Sequence, residues 1–87
     1  MKIKGINNLI RKDLPIYYRR LYSGIVVVEF MDKITECHID FIVETKPTGL
    51  NEIIISQLDN VEYPLIPLKK EIIAFITQLD ATGGLPA

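Results

Sequence analysis

Much familiar chemistry is missing from this 87-residue chain. Its single cysteine, Cys37, permits no internal disulfide, which agrees with a reducing compartment. Its single histidine, His38, stands directly beside that cysteine. Adjacent strand residues point to opposite faces, so on a strand these two neither form a nucleophile and base nor share a metal. Tryptophan is absent. No apolar run approaches the roughly 18 to 20 residues that cross a bilayer as a helix. The stretch MKIKGINNLIRKD also lacks the apolar region and small-residue cleavage site of a secretory signal. A cytoplasmic protein without a membrane partner is the expectation. No phosphate-loop glycine pattern, nucleophile elbow, zinc-ligand spacing or dinucleotide fingerprint occurs. The chain therefore reads as no enzyme, with no catalytic set, cofactor or metal.

What is present is apolar. Hydrophobic residues make up 48% of the chain and the mean hydropathy is +0.22. The length suits one small domain spanning residues 1–87. A domain of this size buries only about 60 to 65% of the surface its unfolded chain exposes. The surplus implies a well-filled core, a ligand pocket or a surface shared with another chain, and the shared surface is the preferred reading. Charge is unevenly placed. Residues 1–22 hold six of the ten bases (Lys2, Lys4, Arg11, Lys12, Arg19, Arg20) against one acid, Asp13, leaving four bases against ten acids in the remainder. The basic segment would neutralise the acidic face of its own sheet, or serve as an arm for an anionic partner.

Along the chain, Ile3, Ile6, Ile10, Leu14, Tyr17 and Leu21 follow steps of three and four, predicting a helix kinked or split at Pro15 and stopped near Gly24. Gly24 to Met31 and Ile34 to Glu44 predict an antiparallel hairpin around Asp32-Lys33, with Val28 facing Cys37 and Val26 facing Ile39. That register sets Glu29 opposite Glu36, a like-charge pair that invites a slip or bulge. Val26, Val28, Phe30, Thr35, Cys37, Ile39, Phe41 and Val43 share the expected core face. After a turn marked by Pro47 and Gly49, Glu52 to Leu58 predicts a third strand beside the second. The first strand thereby lies at an edge. Asp59 to Pro67 reads as irregular, and Leu68, Ile72, Phe75, Ile76 and Leu79 predict a C-terminal helix from Pro67 to about Thr82. Gly83-Gly84 would cap it, with Leu-Pro-Ala as a frayed tail. The expected fold is α+β: a helix, a three-stranded antiparallel meander and a C-terminal helix, both helices on one face of the sheet.

Three constellations carry candidate chemistry. Glu36, His38 and Asp40 share a strand face, where His38 would act as a base or join Glu29 in a metal site; a solvated outer face explains the same residues more simply. Tyr17, Tyr18 and Tyr22, interleaved with Arg19 and Arg20, would stack on bases, or anchor a helix by covering apolar surface. Lys69 and Lys70 open the last helix. Helix, three strands and helix, with lysines opening the last helix, resembles at fold level the double-stranded RNA-binding domain. That resemblance implies nucleic-acid binding through Arg11, Lys12, Arg19, Arg20, Lys69 and Lys70.

The first strand decides between these. Ile25-Val26-Val27-Val28 is apolar on both faces, and an apolar edge must be covered or paired. The leading expectation is a protein-association module, a homodimer through its sheet or a binder of another protein. Its interface residues would be Ile25, Val27, Met31, Ile34 and Ile42, the apolar members of the mixed face. Nucleic-acid binding and an apolar small-molecule ligand held between helices and sheet are the alternatives.

Overall fold

Alternation in the sequence, interrupted by bulges, arranges the chain as a sheet backed by one helix. The computed structural model describes residues 1–12, 16–59, 61 and 64–86. Its elements are β1 (Lys2–Lys12), β2 (Arg19–Phe30), β3 (Lys33–Thr45), β4 (Asn51–Leu58) and α1 (Leu65–Ala81). The strands form one four-stranded antiparallel sheet in the order β1-β2-β3-β4. The class remains α+β, but the three-stranded meander with an N-terminal helix is overturned. The residues expected to form that helix are β1 and the start of β2, and the expected kink at Pro15 lies outside the described residues. The resemblance to the double-stranded RNA-binding domain fails with it.

Bulges explain the misleading spacing. The β1–β2 ladder shifts register between Ile3 and Gly5 and again between Asn7 and Ile10, where Asn8 has φ 53°. Each bulge adds one residue to the usual step of two. Ile3, Ile6 and Leu9 therefore all turn toward the core at intervals of three, which mimics a helical stripe. Ile10, expected on the same side as Ile3 and Ile6, is exposed instead. A third irregularity falls where Asp40 faces Gln57 but Phe41 faces Ile55, and it lets Ile53, Ile55 and Leu58 all contact the core.

The central hairpin turns one residue earlier than expected. Its loop is Met31-Asp32, with φ of 51° and 64°, the left-handed pair of a type I′ turn, whose twist matches the flanking strands. Phe30 consequently faces Lys33, Val28 faces Thr35 and Val26 faces Cys37. The displacement from the expected partners is two residues, so every side chain keeps its face. It also separates the like charges: Glu29 faces Ile34, and Glu36 faces Val27. Nor is β2 an edge, since β1 and β3 flank it. Its run of apolar residues reflects a central position.

The core lies between α1 and the sheet. Tyr22, Val26 and Val28 of β2 and Cys37, Ile39, Phe41 and Val43 of β3 meet Leu68, Ile72 and Ile76 of the helix, all essentially without solvent contact. Leu68, Ile72 and Ile76 recur every four residues on one helical face. Burying each contributes on the order of 1.5 to 3 kcal/mol. Pro67 lies in the first turn, where its missing N–H costs no helical hydrogen bond. At the other end Gly83, with φ 75°, turns the chain back, and Gly84 N–H donates to the Leu79 carbonyl at 2.8 Å. The tail is not frayed as far as Pro86. Leu85 packs against the core, and the Pro86 carbonyl accepts a 2.9 Å hydrogen bond from the Tyr22 hydroxyl.

Candidate functional site

The helix covers only one face of the sheet, and the alternation that fills the core sends the other side chains to the opposite, open face. Leu21 of β2 faces Ile42 of β3, which faces Ile54 of β4, making a continuous apolar row across the strands. Further along β2, Ile25 and Val27 extend it on the same face. All five side chains are half-buried, shielded only by their neighbours in the sheet.

Of the expected interface residues, Ile25, Val27 and Ile42 lie together near the centre of this face. Met31 instead occupies the hairpin turn, 84% exposed, and Ile34 lies near that end of β3, 59% exposed. Leu21 and Ile54 belong to the face without having been expected there. The sequence places Leu21 on a helical stripe, but once β2 starts at Arg19 its odd-number parity with Ile25 and Val27 sets its side. For Ile54 the available signal is its alternation with Ile53 and Ile55, both of which contact the core.

Charge on the open face is graded from edge to edge. On the β1 side, Lys4 approaches Glu29 at 3.9 Å and Lys12 reaches across β2 to Asp40 at 3.8 Å. Toward β4, Glu36, Asp40 and Glu44 of β3 alternate with His38 and Ile42, and Glu52 faces Glu44 from β4. Asp40 also accepts a hydrogen bond from the Ser23 hydroxyl. His38 stands between Asp40, at 4.0 Å, and Asp59, at 3.8 Å. Glu29 is not its cross-strand neighbour, because His38 faces Ile25. Cys37 is fully buried on the helix side. Among the described residues no group of three or more His, Cys, Asp or Glu side chains is placed to hold a metal ion.

The six bases considered for nucleic acid are dispersed and partly engaged. Arg19 donates from Nε to Glu44 at 2.8 Å. Arg20 donates to Asp80 of α1 at 3.0 Å and to the Tyr22 hydroxyl at 3.1 Å, while Asn51 donates to the other Asp80 oxygen at 2.7 Å. Burial pushes the Asp80 carboxyl up, but hydrogen bonds from Asn51 and Arg20, with the Arg20 charge, outweigh it and hold the pKa below the ordinary carboxylate value. Burial likewise opposes the Arg20 charge, and its contacts with Asp80 and Tyr22 outweigh it, leaving that pKa raised. These groups fasten the helix C-terminus to the sheet. Lys12 pairs on the opposite face, and Lys69 and Lys70 open α1.

The tyrosines likewise separate. Tyr22 is buried, its ring stacked on Phe41 with centroids 5.2 Å apart, whereas Tyr17 is 98% exposed. Tyr17 and Tyr18 meet edge to face, 5.9 Å between centroids, and line a shallow depression of about 670 Å³ with Glu44, Thr45, Lys46 and Pro47. That depression is not between helix and sheet, where an apolar ligand was envisaged; there the core side chains meet. Among the described residues no helix is long and apolar enough to cross a membrane.

The model of the BB_0187 family matches residues 1–81, and the chain belongs to that family. No curated protein and no solved structure matches it.

Proposed function

We propose that this member of the family is a non-enzymatic association module that forms a homodimer through the open face of its sheet. The observation that carries the reading is the row Leu21, Ile42 and Ile54, with Ile25 and Val27 beside it, on a sheet face that no element of the described chain covers. Five large aliphatic side chains left half-wet in one patch are a surface that association would dry. The hydrophobic surplus of the composition collects there, which is the pattern expected of a face shared between two copies.

The test is solution mass by light scattering over a concentration series, on the native chain and on Val27→Lys. The substitution puts a charge in the middle of the face and opposite Glu36 across the ladder, a favourable pair that spares the fold. A dimer for the native chain and a folded monomer for the variant are expected. A native monomer at all concentrations, or a dimer indifferent to V27K, removes the open face as the association surface.

A further inference from the structure

Resting on that reading, we infer that two copies stack face to face about a two-fold axis running along the strands, so that β1 of each lies over β4 of its partner. The charge gradient selects this axis. Lys2, Lys4 and Lys12 make one margin of the open face basic, while Glu36, Asp40 and Glu44 of β3 and Glu52 of β4 make the other half acidic. A face-to-face pair of identical sheets has two simple axes available in the plane between them. An axis across the strands lays β1 on β1, lysine over lysine, with the acidic halves also superposed. An axis along the strands reverses the strand order of the partner, setting the basic margin of each copy over the acidic half of the other. Both margins are then matched by one operation, as an isologous interface requires.

The same operation treats the apolar patch consistently. It preserves position along the strands while exchanging β2 with β3, so Val27 of one copy meets the region of Glu36 and Ile25 of the other, and the Leu21 and Ile42 positions lie over each other. Lys12, whose cross-strand partner is Leu21, comes over the Glu52 to Ile54 segment of the partner, because Ile54 shares that level through Ile42. Four strands about 4.8 Å apart and some ten residues long present roughly 600 Å² of face. Two such faces bury about 1,200 Å², at the lower end of specific interfaces, so matched margins weigh heavily in whether the pair holds.

Cross-linking distinguishes the axes. Lys12→Cys and Glu52→Cys each introduce one exposed thiol, while native Cys37 stays buried. The two variants are mixed and treated with a short bismaleimide under conditions where the native mass is that of a dimer. Covalent dimer is expected from the mixture and not from Lys12→Cys alone. The double substitution K2E/K12E should weaken dimerisation by about tenfold, and added salt should weaken the native dimer. Efficient linkage of Lys12→Cys to itself, a native dimer strengthened by salt, or a native dimer with no linkage in the mixture overturns the axis while leaving association standing. A native chain that is monomeric throughout removes the association itself.

Discussion

Gly24 is where the sheet and its first strand come closest. A Cβ built there would lie 2.8 Å from Ile6 Cγ2, 3.2 Å from Leu9 Cδ1 and 3.3 Å from the Asn7 carbonyl oxygen. The bulges that turn both Ile6 and Leu9 inward bring the two side chains over one position on β2, and only a residue without a side chain leaves room for them. The Ile6 methyl is branched at Cβ and the Asn7 oxygen is backbone, so neither yields easily. Gly24→Ala is therefore expected to cost about 1 to 3 kcal/mol, as overpacking in a filled core does, read as a lowered midpoint in urea with an unchanged slope. In the sequence this glycine reads as a stop signal, because a glycine's absent side chain is visible in a sequence but the side chains that occupy its place are not.

At the scale of elements, legibility follows how far each pattern depends on its neighbours. The β2–β3 hairpin, β4 and α1 can be read because an alternating or four-residue repeat is a local property of each. β1 cannot, because its step of three comes from bulges defined by pairing with β2: Ile3, Ile6 and Leu9 as a helix would show the same intervals. The open face is readable for Ile25, Val27 and Ile42 through parity alone, while Leu21 is lost with the strand it belongs to. The contact between α1 and the sheet is not readable, since Arg20, Asn51 and Asp80 are far apart in sequence and meet only through topology. Asp80→Asn removes the charge from that contact, and its amide nitrogen cannot accept the bond from Asn51. A loss of about 1.5 to 3 kcal/mol is expected at neutral pH, the range for hydrogen bonds to charged groups. Asp80 has its folded pKa depressed, so its contribution is fully present above the unfolded value of about 3.9 and is lost as pH falls through the folded pKa. Urea midpoints of the native chain and D80N should therefore differ clearly at pH 7 and converge toward about pH 2; a gap that persists there would mean that the carboxylate charge is not what holds the helix end.

For the whole molecule, the asymmetry between a basic beginning and an acidic remainder becomes a spatial one. β1 carries its lysines along one margin of the sheet, and two of them reach inward to Glu29 and Asp40, at 3.9 and 3.8 Å. Exposed pairs of this kind contribute little individually, so the arrangement acts mainly on how a second copy can approach. Stability and association are then linked. One sheet layer and one helix bury the core on a single side, and the second side is dried only in the dimer, so unfolding must also release the partner. Raising the protein concentration tenfold favours the folded dimer by about 1.4 kcal/mol, or about 0.7 per chain, wherever the dimer is the dominant folded species. For a domain of this size that corresponds to a rise in Tm of roughly 3 to 6 °C per tenfold concentration. Val27→Lys, folded but monomeric, should melt at a temperature independent of concentration. A native chain whose Tm is equally flat would place the stability of the fold entirely within one copy, and the apolar row on its open face would then need an occupant other than itself.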